Sequence, residues 1–312
     1  MSQYKQLAPT PLCPLCSNAS TRIYWKSVWN STNQSVFSCD NCGLLFLHPM
    51  MSQIEESEYY DNYVNHLETR IGVGKESPSQ TFERRKSLTD YRVEAIASQI
   101  PVNANVLEIG GGCGNVLFEI KRRGLAGNVL LVEPCPEHRD FAQKTMGLKS
   151  DSDISNLKEK TLFDFICCFH VFEHIRDPLS FLDNCFKLLD ENGVFCLEVP
   201  SSNDPLLSLY NCDEFKNFYF QPMHHYIYSE HPLQWLADSK NLVAEFIYVQ
   251  RYGLPNHLHW LSKGAPPSHA DNPFDSLTAD IDSKYKRNLE KIGKTDTIFC
   301  FLSRKQNLAK ET

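Results

Sequence analysis

The stretch Val106-Leu107-Glu108-Ile109-Gly110-Gly111-Gly112-Cys113-Gly114-Asn115 joins a short apolar strand to four glycines. A helix-forming segment, residues 116–123, follows it directly. Glycine has no Cβ, so a ligand can approach the backbone closely and the chain can adopt positive φ. The start of the following helix offers unpaired N–H groups and a positive dipole end to an anionic group. The stretch therefore predicts a loop that binds a small-molecule cofactor.

Strands and helices alternate on both sides of this loop. The predicted strands are 106–109, 128–132, 148–150, 162–169 and 194–199, and the predicted helices are 116–123, 137–146 and 178–189. A longer helix is predicted over 81–100, ahead of the first strand. Such alternation predicts an α/β fold with a doubly wound, Rossmann-like, mostly parallel sheet.

The glycine spacing differs from the dinucleotide fingerprint G-x-G-x-x-G. Counted from Gly110, the last glycine of that fingerprint is replaced by Asn115. An NAD-dependent oxidoreductase is therefore an alternative rather than the leading prediction. The pattern that fits is E-x-G-x-G-x-G over residues 108–114. Glu133 ends the next predicted strand, at the distance where a carboxylate accepts hydrogen bonds from both ribose hydroxyls.

Composition limits the class of protein. The 312 residues suffice for one large domain and one small one, and the net charge of −7 argues against binding to a nucleic-acid backbone. There is no apolar run of 18 residues, and the N-terminus lacks a charged start followed by an apolar core, so we expect a cytoplasmic protein without membrane contact. Twelve cysteines in such a chain indicate metal ligands and free thiols rather than disulfides.

Two Cys-x-x-Cys pairs near the N-terminus have the spacing of a metal site. Cys13 and Cys16 form the first pair, and Cys39 and Cys42 form the second. Four cysteines so arranged predict a tetrahedral Zn²⁺ site, with a small ribbon of strands between the pairs. Four thiolates leave no open coordination position, so the zinc should be structural. The module is too short to bury a core of its own, and metal binding would supply its folding energy.

The loop and its acidic partner resemble motif I and the following acidic residue of class I S-adenosylmethionine-dependent methyltransferases. Residues 163–178 and 181–200 are similar to the fourth and fifth strands of that family and the segments beside them. With the Cys₄ module and the segment 250–261, the chain resembles a zinc-module subgroup of sugar and natural-product pathways, which includes C-methyltransferases acting on nucleotide-linked sugars. The resemblance implies a seven-stranded sheet whose last two strands lie near 242–250 and 297–302.

The resemblance also implies which residues hold the cofactor. The methionine part would lie over the glycine loop, and the acidic and histidine side chains would contact the remaining groups. The implied contacts are the loop glycines Gly110, Gly112 and Gly114, Glu108 near the amino group, Glu133 on the ribose diol, Asp151 near the adenine amine and His170 near the sulfonium. The assignment of Asp151 competes with Ser152 and Asp153.

Methyl transfer also needs an acceptor to be positioned and, for a hydroxyl or an activated carbon, deprotonated. His224 and His225 lie in a predicted lid, and a histidine there resembles the catalytic histidine of the sugar C-methyltransferases. His225 is the preferred general base. Glu173 and His174 are further candidates on the acceptor side if the segment after the fourth strand turns as in the family. Structural roles for all four remain open.

Two other patterns need separate interpretation. Residues 170–174 match H-x-x-E-H, an inverted zinc-peptidase signature that requires a helix; here an apolar strand precedes His170, so a peptidase is rejected. The sixth predicted strand is followed by Arg251, Tyr252, Asn256 and His257. They could bind a phosphate or a sugar hydroxyl, or they could form a structural corner.

The predicted organisation has three parts: a zinc module at 1–60, a connector and helix at 61–100, and a methyltransferase domain at 101–312. The last part contains the lid at 205–230 and an insertion at 253–292. The leading function is methyl transfer to a small-molecule acceptor, such as a sugar nucleotide or another biosynthetic intermediate, by a monomer or a homodimer. The alternatives are an RNA base methyltransferase and a non-catalytic cofactor-binding scaffold with a zinc module.

Overall fold

The computed structural model describes residues 10–62, 66, 68–70, 72, 74–157, 162–267 and 272–305. The predictions made for the N-terminus, the connector at 61–100 and the insertion at 253–292 lie partly outside the described residues. The chain forms two compact units, each made of several segments. The sheet unit comprises Met51–Val199, Ala237–Ile247 and Ile298–Thr312. The cysteine unit comprises Met1–Met50, Pro200–Leu236 and Tyr248–Thr297. The linear boundaries predicted from the sequence remain predictions.

In chain order, the strands are β1 (Thr21–Trp25), β2 (Ser35–Cys39), β3 (Leu45–His48), β4 (Asn105–Ile109), β5 (Asn128–Val132), β6 (Lys149–Asp151), β7 (Phe163–Phe169), β8 (Leu189–Pro200), β9 (Tyr226–Ile227), β10 (Leu242–Val249) and β11 (Thr297–Arg304). The α-helices are α1 (Gln53–Asp61), α2 (Pro78–Arg84), α3 (Lys86–Ile96), α4 (Asn115–Arg122), α5 (Pro136–Lys144), α6 (Pro178–Leu188), α7 (Pro205–Ser208), α8 (Asp213–Tyr219), α9 (Glu230–Ser239), α10 (Leu254–Lys263) and α11 (Phe274–Lys291). Short 3₁₀ turns cover Ala97–Gln99, Ile154–Asn156 and Phe172–His174.

Seven of the described strands form one sheet in the order β10-β11-β8-β7-β4-β5-β6. The pairs β4–β5, β4–β7, β5–β6 and β7–β8 are parallel, which confirms the predicted seven-stranded, mostly parallel α/β sheet. Four consecutive residues of β7, Phe165 to Cys168, are fully buried, as expected for a parallel strand packed on both faces. Because these strands are parallel, the turns after β4, β5, β6 and β7 lie at the same edge of the sheet.

The prediction of one continuous helix over 81–100 is wrong, because the helix is interrupted at Arg85, which lies between α2 and α3. Ser77 starts α2 with a capping box that includes Gln80. The carbonyl of Phe82 accepts a hydrogen bond from Asn115 Nδ2 at 2.8 Å. This bond competes with the backbone hydrogen bond that the same carbonyl would accept in a continuous helix. The prediction for α6 is confirmed: Asp177 caps it and Pro178 is its first residue.

The cysteine unit contains a second sheet in the order β1-β2-β3-β9. Its pairs are antiparallel, and β1 and β2 confirm the predicted N-terminal ribbon. The predicted module shares its core with later segments of the chain, because buried residues of β2, β3, α7, α8 and α10 form one apolar cluster. That core comes from segments more than 150 residues apart in the chain, which the local sequence does not indicate.

The predicted lid and insertion contain regular structure. Residues 205–230 include α7, α8 and β9, and residues 253–292 include α10 and α11 on either side of a gap in the described residues. The predicted helix at 280–289 is longer in the structure, where α11 covers Phe274–Lys291. Among the described residues, no helix has the length and apolar character needed to span a membrane.

Candidate functional site

The glycine loop, residues 110–114, connects β4 to α4 at the edge of the sheet. Gly110, Gly112 and Gly114 have φ values of 72°, 58° and 79°, a region in which a side chain would be strained. A Cβ on Gly114 would lie 2.5 Å from the Leu148 side chain, so the loop also packs too closely for alanine there. Gly114 caps α4, and the loop therefore leads directly into the unpaired N–H groups of that helix.

Glu133 lies beside this loop, immediately after β5. Its Oε2 accepts a hydrogen bond from the Gly112 N–H at 2.8 Å, and its Oε1 accepts one from the Cys135 N–H at 2.9 Å. Each carboxylate oxygen can accept more than one hydrogen bond. The side chain is buried, and its two backbone donors fix its orientation at the loop. The carboxylate thus keeps the capacity to accept from further hydrogen-bond donors.

Asp151 ends β6, the strand next to β5. Its Oδ1 accepts hydrogen bonds from the Ser152 N–H at 2.6 Å and from Asn156 Nδ2 at 2.7 Å. The bond from Asn156, with smaller contributions from backbone N–H groups, holds the pKa of Asp151 below its ordinary value. The Glu133 N–H donates to the Asp151 carbonyl at 3.0 Å, so the two acidic residues stand at neighbouring strand ends.

Glu108 is a buried carboxylate beneath the loop. Its exposed fraction is 2%, and a Cβ on Gly111 would lie 2.7 Å from its Oε2. Burial raises the pKa of Glu108 to about 7, although the charge of Arg92 opposes this shift. Within the part of the chain that the structure describes, Oε2 has no hydrogen-bond partner. A buried polar atom without a hydrogen bond lowers the stability of the fold. A ligand ammonium group would supply the missing hydrogen bond.

Residues ahead of the sheet cover the loop. The Cys113 thiol lies 3.3 Å from the Pro78 carbonyl, and Asn115 Nδ2 bonds to the Phe82 carbonyl. Arg85 Nη1 lies 3.0 Å from the position that a Cβ on Gly112 would take. Sequence reasoning missed this cover, because nothing in the local pattern shows that α2 returns to the glycine loop.

His170 follows β7 at the same edge of the sheet and has a φ of 54°, which is strained for a residue with a side chain. Its Nδ1 lies 3.1 Å from Glu173 Oε1 and its Nε2 lies 3.6 Å from Glu198 Oε1. Burial lowers the pKa of His170, but the charges of Glu198 and Glu173 outweigh burial, so the pKa is raised overall. The two carboxylates therefore favour the imidazolium form.

Glu198 is the central acid of this cluster, although the sequence pattern does not place it in a site. It is fully buried in β8, where Arg92 Nε donates to its Oε2 at 2.6 Å and the Tyr91 hydroxyl donates to its Oε1. Arg92 also lies over the Phe169 ring. The available signal was a charged residue inside an otherwise apolar strand, since buried charges are usually paired. Tyr91 and Arg92 could not be identified from the sequence as its donors, because they lie on α3, far away in the sequence.

Glu173 and His174 form most of the 3₁₀ turn Phe172–His174. Glu173 is 1% exposed, and its Oε1 lies 3.9 Å from His174 Nε2. The segment is not an α-helix, so the geometry of a zinc-peptidase motif is absent from these residues. Glu173 and His174 of this turn thus lie close to His170.

The Cys₄ group lies in the cysteine unit. The Sγ atoms of Cys13, Cys16, Cys39 and Cys42 are all within 4.8 Å of one another, and the closest pairs are 3.6 and 3.5 Å apart. None of these cysteines forms a disulfide. Sulfur atoms about 2.3 Å from a tetrahedral zinc lie about 3.8 Å from each other. The spacing therefore suits a bound zinc ion.

The predicted lid histidines also belong to the cysteine unit, just before β9. His225 is fully buried, and its carbonyl accepts a hydrogen bond from the Leu47 N–H at 3.0 Å. Its ring makes an edge contact with Tyr226. His224 is partly buried, and its N–H donates to the Gln221 carbonyl at 3.1 Å. The roles of both side chains in catalysis stay predictions.

The corner around Arg251 and His257 is organised by buried Asp296. Asp296 accepts from Arg251 Nε at 3.2 Å and from Gln250 Nε2 at 2.9 Å. His257 is 1% exposed, and its Nδ1 lies 2.6 Å from the Tyr285 hydroxyl. Burial lowers the pKa of His257 to about 4. These contacts favour the structural interpretation of His257 over ligand binding.

The chain is similar to known proteins over the region that contains this geometry. A family model described as a methyltransferase domain matches residues 82–245, slightly more than half of the chain. The match includes the glycine loop, the acidic residues after β4 to β7 and the lid histidines.

Two relatives are bacterial enzymes named ubiquinone biosynthesis O-methyltransferase. The protein from Histophilus somni (strain 2336) is 26% identical over 204 residues, which cover 60% of this chain and 85% of that protein. The protein from Xylella fastidiosa (strain 9a5c) is 28% identical over 116 residues, which cover 34% of this chain and 46% of that protein. The chain thus spans about half the length of the Xylella relative.

A solved structure shares the fold. It belongs to the complex between the Haloferax volcanii Trm112 methyltransferase activator and a protein assigned as a methyltransferase. The TM-score is 0.50 at 15% identity, over 75% of this chain and 100% of that one.

Proposed function

The chain belongs to the methyltransferase domain family, and we propose that it transfers the methyl group of S-adenosylmethionine to a small-molecule acceptor. The observation that carries the proposal is the glycine loop, with Glu133 held beside it and Glu108 beneath it, whose Oε2 has no hydrogen-bond partner among the described residues. This arrangement suits a ligand that combines an ammonium group with a ribose diol, as S-adenosylmethionine does.

Each of several residues of the sheet unit would contact a different part of the cofactor. The loop backbone at Gly110, Gly112 and Gly114 would contact the methionine part, and Glu108 would accept a hydrogen bond from its amino group. Glu133 accepts from the ribose hydroxyls, Asp151 from the adenine amine, and His170 borders the sulfonium. The cofactor supplies a methyl group already activated by the sulfonium charge. The protein therefore has to orient the two reactants and exclude water.

His225 is proposed to take the proton from the acceptor. The His225 imidazole would accept the proton from the acceptor oxygen or carbon as that atom gains the methyl group that the cofactor supplies. A histidine titrates near neutral pH and suits this role. His224, Glu173 and His174 are the other candidates, and Glu173 is held in its turn by contacts to His170 and His174.

The acceptor is proposed to be a biosynthetic intermediate with a hydroxyl or an activated carbon. The names of the two relatives favour a hydroxyl, whereas the resemblance to the zinc-module subgroup favours a nucleotide-linked sugar. The net charge of −7 argues against RNA as the acceptor. A cytoplasmic location and a monomeric or homodimeric state complete the proposal, and size-exclusion chromatography with light scattering tests the latter.

The Cys₄ group is proposed to bind a structural Zn²⁺ ion. The four free thiols have the mutual spacing of a tetrahedral site, and the set leaves no ligand position for a substrate. Elemental analysis of the purified chain should give one zinc per chain. Replacement of Cys39 by serine should lower that ratio, whereas Cys212→Ser, outside the group, should not.

Mass spectrometry of candidate acceptors tests the activity. The chain is incubated with S-adenosylmethionine and with panels of sugar nucleotides and phenolic hydroxyl compounds, and each acceptor is examined for a gain of one methyl group. Methylation that requires active chain supports the proposal. A chain that binds S-adenosylhomocysteine but methylates no member of either panel favours the non-catalytic scaffold.

A further inference from the structure

The strand pairing β3–β9 joins the second cysteine pair to the segment that carries the lid histidines. Cys39 ends β2, Cys42 lies in the turn that follows, and β3 starts at Leu45. In the β3–β9 pair, Leu45 is opposite Ile227 and Phe46 is opposite Tyr226. The Leu47 N–H then donates to the His225 carbonyl at 3.0 Å. The turn between β2 and β3 is therefore both a metal-binding knuckle and the start of the strand that holds His225.

The residues around this contact are buried, and the contact extends beyond β9. Leu44 and Leu47 on one side and His225 and Tyr228 on the other are all fully buried. The knuckle itself also meets α9, because a Cβ on Gly43 would lie 2.8 Å from the His231 ring. The segment 225–231 thus rests at both ends on residues that follow directly from the cysteine pair.

We propose that the metal ion of the Cys₄ group holds the His224–His225 segment in place, so that its loss releases this segment without affecting the glycine loop. The inference rests on the proposed zinc site. A strand of two residues such as β9 cannot persist alone. It is held by its pairing with β3 and by the Ser202 N–H, which donates to the Tyr228 carbonyl at 2.7 Å. Four cysteines that lose their ion no longer fix the β2–β3 turn, because in such modules the binding energy of the metal is folding energy.

The glycine loop should be insensitive to the metal. It belongs to the sheet unit, in which β4, β5 and α4 hold it. None of these elements contains a Cys₄ ligand. Metal loss should therefore abolish turnover of the acceptor while binding of S-adenosylhomocysteine persists.

Hydrogen-exchange mass spectrometry of the full chain tests the inference. The zinc-loaded chain, the chain stripped by a chelator and the stripped chain with zinc restored are compared. We expect amide exchange in 224–228 to rise by at least about tenfold on stripping and to return with zinc. Exchange in 105–115 and affinity for S-adenosylhomocysteine should stay the same. Unchanged protection of 224–228 in the stripped chain would overturn the inference, as would equal loss of protection in 105–115.

A second variant disturbs the knuckle without removing a ligand. Gly43→Ala adds a Cβ at a φ of +71° against His231, whereas Gly124→Ala adds one at a φ of +68° with nothing within 4 Å. Gly43→Ala should raise exchange in 224–228 and Gly124→Ala should not; equal exchange in the two variants would count against the inference. Zinc content and S-adenosylhomocysteine binding are measured separately. Lack of zinc would refute the metal site and this inference together, whereas lack of binding would refute only the proposed methyl transfer.

Discussion

The two compact units differ in how the chain brings their candidate functional residues together. In the sheet unit, Glu108, the glycine loop, Glu133, Asp151 and His170 come from four successive strand ends, and parallel pairing brings those ends to one edge. In the cysteine unit, the Cys₄ group and the lid histidines are more than 180 residues apart and meet through the β3–β9 pair. A site of the first kind depends on local turns, and a site of the second kind depends on long-range pairing. Changes in the two units should therefore separate cofactor binding from turnover.

The largest expected effect is on turnover, from the cysteine unit. His225→Ala should lower kcat by about 10²–10⁴-fold if His225 is the general base. The affinity for S-adenosylhomocysteine should change little, since the glycine loop belongs to the other unit. Steady-state kinetics and calorimetry measure the two quantities. His224→Ala is the adjacent control and should have a much smaller effect; unchanged turnover in His225→Ala would remove the assignment.

The second largest expected effect is a loss of folding stability, caused by a substitution in the sheet unit. Glu198→Gln removes the charge that Arg92 and His170 face. Loss of one partner of a buried ion pair costs about 3–5 kcal/mol, and denaturant unfolding should show a loss of this order. Glu245→Gln, on the exposed side of β10, is the control. Equal stability of the two variants would show that the cluster is not a buried charge network.

The pH dependence of this effect has a defined sign. The pKa of His170 is raised because Glu198 and Glu173 outweigh burial. A raised histidine pKa stabilises the fold fully below the unfolded value near 6.5, and this stabilisation is lost as the pH rises through the folded value. The stability difference between the wild type and Glu198→Gln should therefore be larger near pH 6 than near pH 9. A difference that grows with pH would contradict the assignment.

A smaller effect is expected on cofactor affinity. Glu133→Ala removes an acceptor for the ribose hydroxyls and releases the Gly112 N–H. Such charged hydrogen bonds contribute about 1.5–3 kcal/mol each, so the affinity for S-adenosylhomocysteine should fall by about 10–100-fold. Glu137→Gln changes an exposed carboxylate nearby and should leave the affinity unchanged. Equal affinities of the two variants would show that Glu133 contributes no more to binding than an exposed carboxylate does.

The smallest effect comes from Glu108. Its pKa is raised to about 7 by burial, and a ligand ammonium group favours its ionised form. Affinity for S-adenosylhomocysteine should therefore weaken as the pH falls through 7, by about tenfold between pH 8 and pH 6. Calorimetry at several pH values measures this change. Glu108→Gln cannot titrate at this position, and if it keeps the same pH dependence, the effect does not come from Glu108.

The sequence predicted the sheet unit well because its signals are local. Positive φ at the glycines, the apolar run of β7 and the spacing from Glu108 to Glu133 are each set within a single loop, a single strand or a single strand-helix-strand unit. The break at Arg85 depends on the Asn115 side chain, 30 residues further along the chain. Tyr91 and Arg92, which donate to Glu198, lie on α3, and β9 is a strand through its pairing with β3. These features arise from tertiary packing, which short sequence windows do not report.

Calorimetric titration with S-adenosylhomocysteine tests the central claim that the glycine loop binds S-adenosylmethionine. The account predicts saturable binding of one ligand per chain, marked weakening in Glu133→Ala and no displacement by NADH. Absence of binding to the folded wild-type chain, or displacement by NADH at the same loop, would contradict it.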